Sequence, residues 1–475
     1  MGVRSVQRRP RAVTPRRQRT IVVATLTALA LSVDAVVGVS PAHAERPVID
    51  PVQLPPPGPP GPLEPTEQKN ACALPSATTD AQDVPTAQKA LDFASVWPIT
   101  RGAGQLVAVV DTGVTAHPRL PGLIPGGDYV SAGDGLVDCD AHGTMVAGLI
   151  AAQAVPDSGF AGGAPDARIL SIRQSSNVFQ IVDNRPEEEK SAEPENAAGY
   201  GNVRTMAMAI RTAVDSGASV INISEVACVP AGGGVADGPL GAAVQYAVRE
   251  RNVVVVAAAG NLGSAACKAQ NPMTDPLRPD SDPWASFATI ATPAWFDDVL
   301  TVGSVESDGT PSSFSLAGPW VDVAAPGSNM TSLSPTGNGL TNGTRGNDGV
   351  IPMTGTSFAA PLVAAVAALV RAHRPELSAL EVVDRIERTA HAPAEGWNPV
   401  VGHGIVDPLA AVTDVVTPAP LTVPADSVAM SAPVPPPTPD HRPRTAAVTG
   451  SVLVAVILAL GLALSIPLRR RGRPD

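Results

Sequence analysis

Four apolar residues run into a carboxylate and a glycine in the stretch Val107-Ala108-Val109-Val110-Asp111-Thr112-Gly113. A short apolar run that ends at turn residues is typical of a strand buried on both faces. Further runs of this kind lie at residues 169–172, 220–223, 253–258 and 299–302. We therefore predict a set of buried strands, the first of them over residues 106–110.

Helical patterns alternate with these apolar runs. Apolar residues recur at helical spacing over residues 142–152, 203–216, 238–250 and 356–373. Fully apolar strands that alternate with helices indicate a parallel sheet covered by helices on both faces. We predict an α/β domain with a mostly parallel central sheet, whose chemistry gathers at the carboxyl ends of the strands.

Polar residues stand at the ends of four of these elements. Asp111 ends a strand, and Asn261 follows the strand residues Ala257-Ala258-Ala259-Gly260. His142 opens one helix and Ser357 opens another, within Gly355-Thr356-Ser357-Phe358-Ala359-Ala360-Pro361. Taken singly, these are an ordinary turn aspartate, a helix-start histidine and an N-cap serine. Together, in the order Asp, His, Asn, Ser, they indicate a catalytic constellation.

The residue types fit one reaction. A serine hydroxyl is a poor nucleophile at neutral pH and needs a base within hydrogen-bond reach, and imidazole titrates in the right range. A buried carboxylate on the far imidazole nitrogen holds one tautomer and stabilises the charged ring. The side chain of Asn261 and the backbone N–H of Ser357 can donate to the oxyanion of a tetrahedral intermediate. The four positions therefore suit covalent catalysis by an activated serine.

The composition excludes one class of partner. The chain has 475 residues, 44% of them hydrophobic, and a formal net charge of −11. No basic footprint is present, so we expect no nucleic-acid partner. We also expect no cofactor and no metal site, because no cluster of carboxylates in the sequence resembles a calcium loop.

The four cysteines are Cys72, Cys139, Cys228 and Cys267. None forms a C-x-x-C pair, which argues against a zinc or thioredoxin-like motif. An even number in an exported chain favours two disulfides over four buried thiols. Three pairings are possible, and we expect Cys72–Cys139 and Cys228–Cys267 because the second pair follows two neighbouring strand ends.

Both ends of the chain carry membrane signals. Arginines, then an apolar stretch, then Ala42-His43-Ala44 predict a signal peptide over residues 1–44, with an uncleaved anchor as the alternative. Residues 446–466 hold no charge and are long enough to span a bilayer, with a buried core helix as the alternative. The arginine-rich tail, 467–475, predicts a cytoplasmic C-terminus. We expect a single-pass protein of the cell membrane with its catalytic domain outside.

The remaining segments complete the domain organisation. Residues 45–89 form a Pro-rich N-terminal extension, 90–415 the main domain and 416–445 a Pro-rich stalk. Residues 174–201 are rich in acidic residues and proline, and we predict an exposed insertion that protease cleaves readily.

The four catalytic segments resemble the signatures of the subtilase family, and their order is the subtilisin order. The resemblance spans about residues 90–412, to the closing run Gly402-His403-Gly404-Ile405-Val406-Asp407-Pro408. It implies a subtilisin-like three-layer fold and a serine endopeptidase that acts on proteins or peptides. It also implies a role for each of four residues: Asp111 as orienting acid, His142 as base, Ser357 as nucleophile and Asn261 as oxyanion donor.

The run Val220-Ile221-Asn222-Ile223-Ser224 resembles the family's substrate strand, whose backbone pairs with an extended peptide. The resemblance implies substrate contacts at Ser224, Val226 and Gly260. Glu225-Val226-Ala227 replaces the usual Leu-Gly-Gly continuation. This departure argues against the broad specificity of subtilisin.

The whole layout is similar to the mycosins, membrane-anchored subtilases associated with type VII secretion systems. That resemblance implies limited cleavage of exported proteins, an extension that stays with the enzyme, and partners in a secretion membrane complex. One alternative is a general degradative exoprotease, which the anchor disfavours. Another is a structural subunit of the secretion complex in which proteolysis is secondary.

Overall fold

The computed structural model describes residues 46–78, 83–182, 199–231, 235–263, 267–273, 282–416 and 450–460. The described residues up to Val416 belong to one compact unit, and the helix Gly450–Leu460 belongs to a second. The predicted signal peptide and cytoplasmic tail, and all of the stalk beyond Val416, lie outside the described residues.

The strands of the first unit are short and follow one another along the whole chain. They are β1 (Thr66–Gln68), β2 (Pro75–Thr78), β3 (Leu106–Asp111), β4 (Leu123–Asp128), β5 (Arg168–Arg173), β6 (Phe179–Ile181), β7 (Val220–Ile223), β8 (Ala227–Pro230), β9 (Val254–Ala258), β10 (Thr289–Thr292), β11 (Val299–Val305), β12 (Val323–Pro326), β13 (Ser332–Leu333), β14 (Leu340–Gly346) and β15 (Gly349–Pro352).

The central sheet has seven strands in the order β12-β11-β9-β7-β3-β5-β4, and every neighbouring pair is parallel. Every residue of β3, β7 and β9 is buried, although successive side chains point to opposite faces of the sheet. Both faces are therefore covered. The prediction of a three-layer α/β fold with a mostly parallel sheet is confirmed.

Eight α-helices of the first unit lie within the described residues. They are α1 (Thr86–Lys89), α2 (Phe93–Val96), α3 (His142–Ala151), α4 (Val203–Asp215), α5 (Gly238–Gln245), α6 (Thr356–His373), α7 (Ala379–Thr389) and α8 (Pro408–Thr413). Helix α6 packs on α3 and on β7, β9, β11 and β12, while α4 packs on α5, β3 and β5. Helix α5 continues into a π-helical turn, Tyr246–Glu250, where the sequence predicted one uninterrupted helix.

Two apolar helices bear on the membrane prediction. Helix α6 is long and apolar enough to cross a bilayer, but most of it is buried, because it forms the core beneath the sheet. The predicted transmembrane segment, 446–466, is described over the apolar helix Gly450–Leu460, whose side chains are exposed.

The N-terminal extension contributes two strands to the first unit. Strand β1 pairs antiparallel with β6, and β2 pairs antiparallel with β14. Strand β14 also pairs with β13 and β15, so the extension supplies an outer strand to this smaller sheet. The Pro-rich extension thus takes part in antiparallel strand pairing, and β2 itself begins with a proline, Pro75.

The prediction of an exposed insertion over residues 174–201 is wrong at both of its described ends. Gln174 and Ser176 are buried, and β6 pairs with the extension. Tyr200 is also buried and exchanges two backbone hydrogen bonds with Ser176. The acidic residues between 183 and 198 lie outside the described residues. Their polar composition obscured the contacts that hold the two ends.

Candidate active site

Asp111, His142 and Ser357 meet at the carboxyl edge of the central sheet. Asp111 is the last residue of β3, His142 the first of α3 and Ser357 the second of α6. The His142 Nδ1 atom lies 2.7 Å from Asp111 Oδ1, and Nε2 lies 3.0 Å from Ser357 Oγ. Asp111 is fully buried, whereas 22% of the His142 side chain is exposed. The imidazole therefore bridges a buried carboxylate and a hydroxyl at the surface of a cleft.

A glycine allows the helix of His142 to approach the strand of Asp111. A Cβ atom on Gly143 would lie 2.1 Å from the backbone oxygen of Gly113, which no side chain tolerates. The Gly143 N–H donates to the Thr112 hydroxyl at 2.9 Å, and the Thr112 N–H donates to Asp111 Oδ1 at 2.7 Å. The Asp-Thr-Gly and His-Gly-Thr motifs therefore form one hydrogen-bonded unit.

Asp138 is a buried carboxylate that the sequence prediction missed. It accepts the Thr112 hydroxyl at 2.9 Å, and it accepts the Thr144 N–H at 2.8 Å and hydroxyl at 2.6 Å. It thereby ties the turn after β3 to the first turn of α3. Burial raises the pKa of Asp138 to about 6, against the effect of its hydrogen bonds from Thr144 and Thr112. Nothing in the sequence distinguishes it from an ordinary loop aspartate.

Asn261 is oriented by the residue before the serine. Its Oδ1 accepts the Thr356 backbone N–H at 2.9 Å and the Thr356 hydroxyl at 3.1 Å. With its oxygen engaged, the amide Nδ2 is the atom left to donate. The backbone N–H of Ser357 lies in the first turn of the 18-residue helix α6, at the positive end of the helix dipole. The two groups form a pair of donors suited to a developing oxyanion.

A cleft of about 420 Å³ opens over Ser357. Of the predicted substrate-binding residues, Ser224 and Val226 line it. The Ser224 hydroxyl also donates to the backbone oxygen of Ser357 at 2.8 Å, which holds the end of β7 against α6. Gly260, the third, is not among the lining residues, and a Cβ atom on it would contact Leu316 at 3.3 Å.

Glu225 is a second residue that the sequence prediction did not place in the site. It lines the cleft, and its Oε1 lies 4.0 Å from His142 Nδ1. Burial raises the pKa of Glu225, and Asp111 raises it further, while His142 lowers it. The unusual Glu225-Val226-Ala227 sequence was the signal that could have identified it.

Three neighbouring carboxylates and burial together set the pKa of His142. Burial alone lowers the pKa of the ring. Asp111 raises it most, through charge and hydrogen bonding, and Glu225 and Asp138 add to that effect. The net pKa of His142 is raised, because the imidazolium form is stabilised by its neighbours. The site is therefore built to stabilise the proton that a serine would give up.

Both expected disulfides are present. Cys72 is bonded to Cys139, across 67 residues, and Cys228 to Cys267, across 39 residues. The first fastens the extension three residues before His142. The second joins β8, just after the substrate segment, to the loop after Asn261.

Three residues of the site, two carboxylates and the histidine, lie close enough together to hold a cation. Ligand atoms of Asp111, His142 and Glu225 all lie within 4.8 Å of one another. The Nδ1 atom of His142 is already used in the 2.7 Å hydrogen bond to Asp111, however. The arrangement thus fits proton transfer better than metal binding.

Comparison with known proteins identifies the class. The model of the subtilase family matches residues 102–404. The chain therefore belongs to the subtilase family of serine proteases.

Relatives narrow the class to the mycosins. Mycosin-4 of Mycobacterium tuberculosis is 48% identical, over 88% of this chain and 89% of its own length. The crystal structure of MycP1 from the ESX-1 type VII secretion system is 43% identical with a TM-score of 0.73, covering 80% of this chain and 99% of that one. A chain in the structure of an intact ESX-5 inner membrane complex is 44% identical with a TM-score of 0.73, covering 89% of this chain and all of that one.

Proposed function

We propose that this chain is a membrane-anchored endopeptidase that cleaves a few exported proteins, with Asp111, His142 and Ser357 as its catalytic triad. The observation that carries the assignment is the unbroken hydrogen-bond line through His142, at 2.7 Å to Asp111 and 3.0 Å to Ser357. Separations of this size lie within the reach that nucleophile and base need.

Each residue then has one task in acyl transfer. Ser357 Oγ attacks the carbonyl carbon of the scissile bond while His142 Nε2 takes its proton. Asp111 stabilises the imidazolium, and Asn261 Nδ2 and the Ser357 N–H donate to the oxyanion. His142 returns the proton to the leaving amine, and water then releases the acyl group by the same steps in reverse.

A fluorophosphonate probe tests the triad directly. We expect the full chain to be labelled at Ser357, and His142→Ala to abolish labelling. The variant His373→Ala is a matched control, because His373 is exposed at the end of α6 and should leave labelling intact. Robust labelling of the His142→Ala protein would refute the assignment.

We further propose that the protein works within a type VII secretion membrane complex. Its relatives supply the support, since one of them is part of the ESX-5 inner membrane complex. The covalently fastened extension and the apolar segment at residues 446–466 offer surfaces for such an assembly. The orientation we propose places the catalytic unit outside the membrane.

Two edits test this placement. One exchanges residues 446–466 for an unrelated transmembrane helix, and the other deletes residues 45–89. We expect each to weaken co-purification with other membrane subunits and to lower secretion. If the chain migrates alone in mild detergent and secretion survives both edits, the assembly proposal is wrong, and simple retention of the enzyme at the membrane is enough to explain the anchor. Ser357→Ala separates the enzymatic role from a structural one, because secretion without cleavage would favour the structural subunit.

A further inference from the structure

Glu225 places a carboxylate in the cleft that neither attacks the substrate, takes the serine proton nor donates to the oxyanion in the proposed reaction. It stands between Ser224 and Val226, and all three residues line the cleft. Its side chain is 31% exposed, so it is not closed off from the cleft that it lines. At this position the subtilase resemblance leads one to expect leucine, so acyl transfer itself does not require an acid.

The side chains that line the cleft carry an excess of negative charge. Its described lining includes the carboxylates of Asp140 and Glu225 but no lysine or arginine. Asp140 is already bound, since it accepts the Ser176 hydroxyl at 2.5 Å and the Asn177 N–H at 2.7 Å. Glu225 is held less firmly: the Ser175 hydroxyl lowers its pKa by hydrogen bonding, and its Oε1 lies 4.0 Å from His142 Nδ1, so it keeps capacity for a ligand.

The surroundings of Glu225 make its negative charge costly while the cleft is empty. Burial and the charge of Asp111 raise its pKa, and His142 offsets this effect only partly. A cation brought in by a ligand would stabilise the ionised form and gain a charge-assisted hydrogen bond. A peptide that lies over Ser357 can bring such a group within reach of Glu225 and the His142 ring.

We propose that Glu225 selects a basic side chain, lysine or arginine, in the substrate residue that contacts the His142 ring on the acyl side of the scissile bond. This inference rests on the proposed function, because it assigns a substrate class to the same cleft. It makes Glu225 a specificity-determining residue.

Peptide aldehydes measure this preference without needing a known substrate, because they bind reversibly to the serine and block fluorophosphonate labelling. Matched tetrapeptide aldehydes would carry lysine, norleucine or glutamate at each position in turn, and compete for labelling of the full chain in mild detergent. We expect lysine at one position to compete better than norleucine by on the order of ten-fold. Glu225→Gln should remove this ratio, and Glu225→Lys should reverse it in favour of glutamate.

The exposed Glu250 supplies the matched control, and Glu250→Gln should keep the wild-type ratio. Equal competition by lysine and norleucine at every position would overturn the inference. So would a lysine preference that survives in Glu225→Gln, since Glu225 would then act only on His142. A chain whose Ser357 is never labelled would instead refute the proposed function.

Discussion

The side-chain oxygen of Asn261 accepts the backbone N–H of Thr356 at 2.9 Å, one residue before the proposed nucleophile. The hydrogen bond that orients the Asn261 side chain therefore comes from Thr356, the first residue of α6. The proposed donor, Asn261, is thus bonded to the residue next to the proposed nucleophile, Ser357, so the fold sets the separation of the two side chains.

Replacing Asn261 by aspartate should slow catalysis without unfolding the protein. The isosteric carboxylate has no N–H to donate and adds a negative charge beside the oxyanion. We expect the rate of attack by Ser357 to fall by about 10²–10³, the cost of losing such a donor in subtilisin. The rate of fluorophosphonate labelling measures the effect, and Asn338→Asp, in an exposed loop, serves as the control. A labelling rate equal to that of the wild type would exclude Asn261 as an oxyanion donor.

Thr356 should act as a positioning residue. Its hydroxyl donates to Asn261 Oδ1 at 3.1 Å and accepts the Gly260 N–H at 3.1 Å. Thr356→Val keeps the shape but loses both bonds, and we expect the rate of fluorophosphonate labelling to fall about ten-fold, the value of one to two hydrogen bonds. Thr356→Ser restores the hydroxyl and should recover most of the rate. Equal loss in both variants would show that the methyl packing, rather than the hydroxyl, is what matters.

Breaking the Cys72–Cys139 bond should destabilise the unit. The bond closes a 67-residue loop, which the chain-entropy model values at about 4 kcal/mol. We expect Cys72→Ala/Cys139→Ala to unfold at lower denaturant concentration and to release the extension more readily to protease, although the β1 and β2 pairings remain. Val137→Ala, an exposed neighbour, controls for local changes near the loop. An unchanged unfolding midpoint would contradict this expectation.

Glu387 should make stability depend on pH. Burial, and next the charge of Asp384, raise the pKa of Glu387 from 4.5 to about 7. The folded protein therefore binds a proton that the unfolded chain has lost between these values, so stability falls as pH rises through that window. Glu387→Gln removes the ionisation, and its free energy of unfolding should exceed the wild type's by about 1 kcal/mol or more at pH 8 and not at pH 4. Urea unfolding at both pH values checks this, with the exposed Glu250→Gln as control. A constant difference between the two pH values would rule out the titration.

The sequence predicted the central sheet well, because its strands are apolar on both faces. Strand β7 and helix α6 have the predicted bounds, and β9 differs from its prediction by one residue. The smaller sheets could not be predicted in the same way. Strand β15 is exposed along its whole length, so its sequence carries no burial pattern.

The residues of the candidate site also fall into a group that the sequence predicts and a group that it does not. Asp111, His142, Asn261 and Ser357 are recognisable because each lies at or just beyond the end of a strand, or in the first turn of a helix, within a known motif. Asp138 and Glu225 act through neighbours that are distant in sequence, and only the packing of β3, β7 and α3 brings those neighbours close. Composition and spacing do not encode such contacts.

The disulfide between Cys228 and Cys267 forms only in an oxidising compartment, so the covalent link between two segments at the cleft depends on where the protein is. The bond links β8, the strand after Glu225, to the loop after Asn261, and Glu225, Asn261 and Cys267 all line the cleft. Thiols stay reduced in the cytoplasm, so in a chain awaiting export only noncovalent contacts hold these segments together. The exported protein we propose would close the bond after translocation. The covalent link between β8 and the loop after Asn261 would therefore form only at the protein's destination.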